Sequence, residues 1–239
     1  MRSIAIQIGA DCSDPGGPGP VYPDGSFSYV PPVEENPSVS QPTYRQLGLE
    51  DVRPADVADL VAEMNPEFPS IATGERCTYG QIPSEEAHRV QSLNAGDILF
   101  FYARLDYRGN RMPTAPSIDT HSGYYLIGQF TLARDPLTVD GPWDIPPTVW
   151  EAFATNAHRR RESFDAKVLV IGDAVQSGLY RRVLPLDGPN LNSRECLPAG
   201  ADDVLSGEDW GRGPVLFGPS VTEQLLRSTS GGRPPLAVT

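Results

Sequence analysis

The sequence has little cysteine, a single lysine and no long apolar run. Cys12, Cys77 and Cys196 lie far apart and follow neither a CxxC nor a Cys/His ligand spacing, so neither a disulfide framework nor a zinc site is predicted. No apolar run approaches the roughly 18–20 residues that a membrane helix needs, and the first residues lack a signal-peptide pattern. We therefore expect a cytoplasmic protein that does not bind membranes.

The common catalytic and cofactor signatures are missing as well. The chain has no GxGxxG after a strand, no Walker loop, no HExxH and no GxSxG, which are the usual marks of dinucleotide, phosphate, zinc and serine-hydrolase sites. A glycine-rich stretch at 16–19 is interrupted and flanked by prolines, which lack the backbone N–H that would hold a phosphate. The sequence thus predicts no cofactor and no metal.

Positive charge is scarce, with 19 basic and 31 acidic residues and a net charge of −12. Because bulk electrostatic binding of nucleic acid needs a surplus of lysine and arginine, tight nonspecific binding of a duplex is excluded. The imbalance is mostly N-terminal: residues 1–70 hold 11 acidic and 3 basic side chains, whereas residues 136–194 hold 7 of each. The neutral, arginine-bearing middle can still hold a single nucleotide.

Glycine and proline, by contrast, are plentiful, at 23 and 25 residues. This is above ordinary usage but below the level of wholesale disorder. Many of them fall at 11–42, together with Tyr22, Phe27 and Tyr29. Disordered linkers seldom carry so many aromatic rings. We therefore expect a long, ordered N-terminal loop with a short strand at 26–30.

Apolar patterning predicts the remaining elements. The unbroken run at 98–102 is typical of a strand buried on both faces, with 124–130 as its partner. Further strands are predicted at 3–8 and 168–171, and 179–186 is either a strand or a short helix. Helices are predicted at 55–64, 84–92, 149–158 and 221–227. These elements predict one α+β domain over 1–230, built as a small, partly closed β-barrel or strongly bent mixed sheet flanked by helices, and a disordered tail at 231–239.

Three places could carry chemistry. The long polar loop at 106–122 holds Asp119 and His121 beside Tyr124 and Tyr125. A carboxylate that holds an imidazole is the minimal general base, and aromatic rings give stacking surfaces for a base. The alternative is that Asp119 and His121 are ordinary solvated loop residues.

The second place is the most cationic stretch of the chain, at 156–161. The side chains of Arg159 and Arg160 suit phosphate oxygens, whereas Asn156 and His158 could read a base edge or orient a water. The alternative is a charged helix C-terminus with no ligand. The third place is a loop or turn near a predicted strand, and two residues belong to this class. Asp11 comes directly after the first strand, which is a common position for functional loops. Tyr79 lies in a turn that could present its ring or only pack it.

The order of several short stretches resembles the nucleotide-modification-associated domain family, specifically its third family. The stretches lie at 8–13 (IGADCS), 19–31 (GPVYPDGSFSYVP), 65–68 (NPEF), 78–80 (TYG), 96–102 (GDILFFY), 125–128 (YLIG) and 156–158 (NAH). Glu63 and Asn65 stand where members of the family tend to carry a His and an Asp, so no His–Asp pair is expected in that element. The strands at 98–102 and 124–130 are also similar to a strand pair of PUA-like barrels of the EVE and ASCH type, which bind modified or flipped nucleotides in an aromatic pocket.

The family resemblance implies a nucleic-acid context without defining a reaction. Together with the aromatic, arginine and histidine residues beside the central strand pair, it leads us to expect a protein that binds or processes a modified base or nucleotide in a base-modification system, the partner being a nucleotide or a flipped base of DNA or RNA. In this reading Tyr79, Tyr124 or Tyr125 stack on the base, Arg159 and Arg160 hold phosphate, and Asn156 with His158 read or act on the base. Two alternatives stay open. One is an enzyme on a small nucleotide-like substrate with His121 or His158 as general base. The other is a structural subunit of a modification or restriction complex that docks partner proteins through its acidic N-terminal third.

Overall fold

The computed structural model describes residues 1–69, 76–108, 122–186 and 215–229. Its strands are β1 (Ser3–Gln7), β2 (Gly19–Val21), β3 (Thr78–Gln81), β4 (Ile98–Tyr107), β5 (Ser122–Thr131), β6 (Leu137–Thr138), β7 (Val168–Ile171), β8 (Gly178–Pro185) and β9 (Val215–Phe217). Its helices are α1 (Glu85–Gln91), α2 (Pro147–Ala152), α3 (Ala157–Arg160) and α4 (Pro219–Thr229), with one 3₁₀ turn at Pro142–Asp144. This mixture confirms the predicted α+β class.

The strands form two sheets. The larger is mixed, in the order β8-β5-β4-β1-β9. Strand β2 also pairs with β4, at the end of β4 that extends past β1. Pairs β1–β4 and β2–β4 are parallel, while β4–β5, β5–β8 and β1–β9 are antiparallel. The smaller sheet is antiparallel, in the order β3-β7-β6. Within the described ranges the large sheet has two separate ends, so its pairing forms no closed barrel.

Strand β4 lies at the centre of the large sheet and is buried on both faces, as its unbroken apolar run predicts. Leu99 and Phe101 point into the cluster between the two sheets. Phe100 and Tyr102 point to the opposite face, which α4 covers through Leu225. Alternation along the strand sends neighbouring side chains to opposite faces, so a strand with a core on each side needs apolar residues throughout.

Several predicted elements are confirmed with small changes in their bounds. The prediction for 3–8 corresponds to β1, that for 84–92 to α1, that for 168–171 to β7 and that for 221–227 to α4. The ambiguous stretch at 179–186 is the strand β8. The stretch predicted as a strand at 26–30 makes only one isolated bridge, from Phe27 to Val21.

The prediction of a helix at 55–64 is wrong. Its backbone hydrogen bonds go instead to the N-terminal loop: the N–H of Ala62 donates to Pro42, and that of Glu63 donates to Pro32. Because Val57 and Met64 are still buried there, the helical spacing of apolar residues reflects loop packing rather than a helix. The N-terminal loop itself packs onto the sheets, where the ring of Tyr29 is 4% exposed and lies 5.6 Å from that of Phe68.

The helix predicted at 149–158 is divided in two. Helix α2 ends at Ala152, and the chain turns through Asn156, whose extended backbone begins α3. The Asn156 side chain accepts a hydrogen bond from the backbone N–H of His158, an arrangement that caps a helix N-terminus and so favours a new helix here. This break places His158 in the first turn of α3, between β3 and the N-terminal loop.

No helix in the described part of the chain is long and apolar enough to cross a membrane. The predicted tail at 231–239 lies outside the described residues.

Candidate functional site

The imidazole of His158 lies at the centre of a buried polar network, with 2% of the residue exposed. Its Nδ1 is 2.6 Å from Oδ1 of Asp165, and its Nε2 is 3.2 Å from Nδ2 of Asn65. The two partners lie seven residues after the histidine and 93 residues before it, so the fold has to bring them together.

The orientation of Asn65 fixes which nitrogen of His158 carries hydrogen. Its Oδ1 accepts from the backbone N–H of Gly80 at 2.8 Å, and its Nδ2 donates to the carbonyl of Gly80 at 2.9 Å. Because both backbone bonds hold the amide in this orientation, Nδ2 also faces Nε2 of His158 as a donor. Nε2 is therefore the acceptor, and the Nδ1–H of His158 donates to Asp165. Arg161 Nη1 lies 3.2 Å from Nδ1 but then donates to Asp165, at 2.7 Å, and not to the imidazole.

Gly80 permits this arrangement by having no side chain. A Cβ at this position would lie 2.3 Å from Cδ2 of His158. The backbone of β3 therefore touches the imidazole ring directly, which a larger residue would prevent.

A second hydrogen-bonded group adjoins His158 through Arg161, whose side chain is 6% exposed. Its guanidinium contacts three carboxylates: Nε lies 3.1 Å from Glu34, Nη2 lies 3.0 Å from Glu63, and Nη1 lies 2.7 Å from Asp165. One arginine thus connects the N-terminal loop to the segment that follows α3. Since three carboxyls share one guanidinium, the group has more acidic than basic side chains.

The three carboxyls differ in the direction in which their pKa values are shifted. Burial opposes ionisation of Glu34, but hydrogen bonds from Gln41, Asn36 and Arg161 lower its pKa below the ordinary value. Burial likewise opposes ionisation of Asp165, yet its bonds to His158 and Arg161 lower its pKa.

Glu63 behaves in the opposite way. Burial raises its pKa above the ordinary value, and the attraction of Arg161 does not compensate because Glu34 adds repulsion.

Glu67 extends the network inward and is fully buried. Its two carboxylate oxygens accept hydrogen bonds from the hydroxyls of Thr78 and Thr155. Asn156 donates to the Thr78 hydroxyl at 3.2 Å, and Arg76 donates to the Thr155 hydroxyl at 3.1 Å. Burial raises the pKa of Glu67, and the two hydroxyls offset only part of that effect.

Two of the three carboxyls that contact Arg161 are partly exposed. Glu63 is 23% exposed and Asp165 is 33% exposed, whereas His158 and Arg161 are enclosed. A ligand at this surface can therefore contact the two carboxyls directly. These groups can accept hydrogen bonds from N–H donors, and the buried arginine and histidine hold them in place.

Arg159 and Arg160 bind acceptors of the protein itself. Arg159 donates to the carbonyl of Trp150, and its guanidinium carbon lies 4.7 Å from the centre of the Trp150 ring. Arg160 donates to the carbonyls of Ala154 and Ser40. These contacts hold the turn between α2 and α3 against the N-terminal loop, and phosphate binding by the two arginines stays a prediction.

The three predicted stacking tyrosines are not brought to one surface. Tyr79 and Tyr125 are 2% and 4% exposed and pack into the core between the sheets, where the Tyr79 ring lies 5.7 Å from Phe101. Tyr124 lies on the opposite face of the large sheet, with its ring 6.0 Å from Tyr102. Stacking by any of them stays a prediction.

Asn156 and His158 are brought together, whereas Asp11 has its contacts elsewhere. Asp11 lies in the N-terminal loop, where the N–H and the hydroxyl of Ser13 donate to it, each at 2.6 Å, and lower its pKa. Asp119 and His121 lie outside the described residues.

Sequence reasoning assigned no role to the carboxyls of the network, to its central amide or to its central arginine. These are Glu34, Glu63, Glu67 and Asp165, together with Asn65 and Arg161. Two of them, Asn65 and Glu67, belong to the 65–68 stretch that carries the family resemblance, which was a usable signal. Glu34 lies 127 residues from Arg161, and no local pattern reveals such a pairing.

In the described ranges, no group of three or more His, Cys, Asp or Glu side chains is arranged to hold a metal ion. Cys77 is buried, which raises the pKa of its thiol to about 12 and so disfavours a thiolate ligand.

Comparison with known proteins identifies a family. No curated protein and no solved structure matches the chain. A family model matches residues 2–206, which include β1 to β8 and the whole network around His158. The chain therefore belongs to the family described as nucleotide modification associated domain 3.

Proposed function

We propose that this chain binds a modified base, in a nucleotide or flipped from a nucleic acid, as the recognition component of a base-modification system. The family associates the chain with nucleotide modification. The observation that carries the proposal is the pair of partly exposed carboxyls, Glu63 and Asp165, that the buried Arg161 holds in place. Fixed acceptors at a surface are suited to reading the hydrogen-bond donors of a base.

The charge of these groups favours a base over a phosphate at this point. Two carboxyls repel a phosphate, but carboxylates accept from the amino group of cytosine in direct readout. The same chemistry applies to ring N–H and exocyclic amino groups generally. We therefore assign the base edge, and not the phosphate, to Glu63 and Asp165.

Aromatic rings lie on the neighbouring segments. Phe164 directly precedes Asp165, and its ring centre lies 5.8 Å from that of Trp150 on α2. Both rings are only partly buried. Stacking on an aromatic ring contributes about 1–3 kcal/mol per base, so this ring pair supports the proposal. The likeness of β4 and β5 to PUA-like barrels belongs to the same proposal, because such domains hold flipped nucleotides.

His158 acts in this proposal through Asp165. It is buried, and both ring nitrogens have partners in the protein. Its role is to hold the Asp165 carboxylate in one orientation, which makes it a positioning residue.

Calorimetric titration tests the proposal. Wild-type protein is titrated at low salt with nucleoside monophosphates and short single-stranded oligonucleotides, each with unmodified and modified bases. We expect saturable binding that favours a modified base, and weakening by about 10- to 100-fold in Glu63→Gln and Asp165→Asn, because hydrogen bonds to charged groups are lost. Glu85→Gln is the matched control, since Glu85 is 80% exposed on α1 and, in the described part of the chain, pairs only within that helix, with Arg89. Absence of binding to every probe, or equal affinity in all variants, would contradict the proposal.

A second candidate is an enzyme acting on a small nucleotide-like substrate. The raised pKa of Glu63, together with its partial exposure, favours this reading, because general acids and bases are tuned in this way. Loss of turnover with retained binding in Glu63→Gln would support the enzyme, and loss of binding alone would support the reader. Docking of partner proteins on the acidic N-terminal third stays a prediction, although Glu34 and Glu63 from that third point inward to Arg161.

A further inference from the structure

Arg53 is a buried cation with an unused hydrogen-bonding face. The residue is 4% exposed, and among the described residues its buried Nε and Nη2 have no partner in hydrogen-bond geometry, although a weaker interaction of the Arg53 side chain with the Tyr44 hydroxyl partly offsets the effect of burial on the pKa of Tyr44. No acidic side chain in the described part of the chain forms an ion pair with it. A buried charge of this kind is unfavourable unless something compensates it.

The guanidinium is nevertheless held in one orientation. Its Nη1 donates to the carbonyl of Gly17, and its central carbon lies 4.8 Å from the centre of the Tyr44 ring. These two contacts leave the Nε and Nη2 side without an acceptor. Nε–H and Nη2–H lie on the same edge of a guanidinium and donate in parallel, which matches two oxygens of one oxyanion.

A surface turn covers this arginine. Pro15 and Gly16 are exposed, and the turn is closed by a hydrogen bond of 2.9 Å from the N–H of Gly17 to the carbonyl of Asp14. Gly16 has a φ of +85°, and a Cβ there would lie 3.0 Å from Nη1 of Arg53. Only glycine therefore fits both the backbone conformation and the close approach. The guanidinium lies directly beneath a thin, exposed turn, so a ligand can reach it only if that turn moves.

A second unpartnered group lies near the same tyrosine. The hydroxyl of Tyr29 is buried without a hydrogen-bond partner. Tyr29 lies within electrostatic range of Glu63, and Tyr44 lies within range of Arg53, Asp14 and Glu63. Tyr44 thus lies within electrostatic range of both Arg53 and the proposed base-reading carboxyl Glu63.

We propose that the Nε and Nη2 edge of Arg53 binds the phosphate of a nucleotide. This inference rests on the proposed function, in which Glu63 and Asp165 read the base. It gives the phosphate the one edge of the Arg53 guanidinium that the contacts with Gly17 and Tyr44 leave open.

The test measures stabilisation and affinity with defined probes. Inorganic phosphate, acetate, a nucleoside and its 5′-monophosphate are each added to wild-type protein, Arg53→Met, Arg53→Lys and the control Arg45→Met. Arg45 is an exposed arginine paired with Asp59. We expect phosphate and the monophosphate to raise the Tm of wild type and of the control. Arg53→Met should abolish the shift, and Arg53→Lys should weaken binding of the monophosphate by about tenfold or more, because one ammonium replaces two parallel donors.

The outcomes separate this inference from the proposed function. Equal affinity of wild type and both Arg53 variants for the monophosphate overturns the Arg53 site and leaves the proposed function standing. A shift with inorganic phosphate that depends on Arg53, without any binding of nucleosides or nucleotides, shows an oxyanion site at Arg53 but overturns both its assignment to a nucleotide and the proposed function. Stabilisation by acetate but not by phosphate overturns the phosphate assignment. If Arg53→Met does not fold, Arg53→Lys decides.

Discussion

Nδ1 of His158 donates to Oδ1 of Asp165 across 2.6 Å, within a network that is closed to solvent on the histidine side. The opposite ring nitrogen faces the Asn65 amide, whose orientation the backbone of Gly80 fixes. The fold therefore sets one tautomer of His158. Its hydrogen bond in turn holds the partly exposed Asp165 carboxylate in one orientation. The predictions below test this network, its charges and its proposed use.

The tautomer of His158 can be measured directly. In protein labelled with ¹⁵N-histidine, we expect a hydrogen-bearing Nδ1 and an unprotonated Nε2 for His158. Asn65→Asp places a carboxylate where the amide donor stands, so a hydrogen should appear on Nε2 in that variant. A wild-type spectrum with hydrogen on Nε2 alone would contradict the assigned orientation of Asn65.

The contact between Gly80 and the imidazole predicts a large effect of one methyl group. A Cβ at Gly80 would lie 2.3 Å from the His158 ring, and overpacking of this kind lowers stability by about 1–3 kcal/mol. Gly218→Ala is the control, since nothing lies within 4 Å of a Cβ there. Urea denaturation should show a clear loss for Gly80→Ala only, and equal loss in both variants would show that the close approach has no consequence.

Arg161 should be the most important charged residue for stability. Its removal leaves the buried Glu34 without its cation, and breaking a buried pair in this way lowers the free energy of unfolding by about 3–5 kcal/mol. We expect this loss in Arg161→Met by chemical denaturation, with no measurable change of midpoint in Arg45→Met. A loss no larger than that of the control would contradict the bridging role of Arg161.

Glu67 and Asp165 predict opposite dependences of stability on pH. The pKa of Glu67 is raised in the fold, so its contribution is full below the unfolded value of about 4 and is lost as pH rises through the folded pKa. The pKa of Asp165 is lowered, so its contribution is present at neutral pH and is lost as pH falls below about 4.

The difference between Glu67→Gln and wild type isolates the first effect. Stability of the variant relative to wild type should improve as pH rises from about 4 to 7, because only wild type then has to ionise a buried carboxyl. The exposed Glu85→Gln controls for loss of one negative charge. A difference between Glu67→Gln and wild type that stays constant over this range would show that Glu67 ionises as easily in the fold as in the unfolded chain.

Much of the sheet structure follows from local sequence. The apolar run that forms β4 and its partner β5 could be predicted, because burial on both faces leaves a continuous apolar signal. The helix predicted at 55–64 failed because Val57 and Met64 are buried against a loop that has no periodicity of its own. Spacing alone does not distinguish the two kinds of burial.

The site could be predicted only in part. His158 and Asn156 stand in a conspicuous cationic stretch, and one lies in the first turn of α3 while the other caps it. Their partners Asn65 and Glu34 come from remote loops, and such polar pairings depend on tertiary structure. Within the acidic N-terminal third, Glu34 neutralises a buried arginine, and docking of partner proteins on that third stays a prediction.

The most direct test of the account follows the His158 ring while a ligand is added. Protein labelled with ¹⁵N-histidine is titrated with a nucleoside monophosphate that carries a modified base and with its unmodified counterpart. We predict saturable changes in the His158 ring resonances, at lower concentrations of the modified nucleotide, because binding at Asp165 perturbs its hydrogen bond to Nδ1. Resonances of His158 that stay unchanged at saturating concentrations of every modified nucleotide tried would contradict the proposal that this network reads a base.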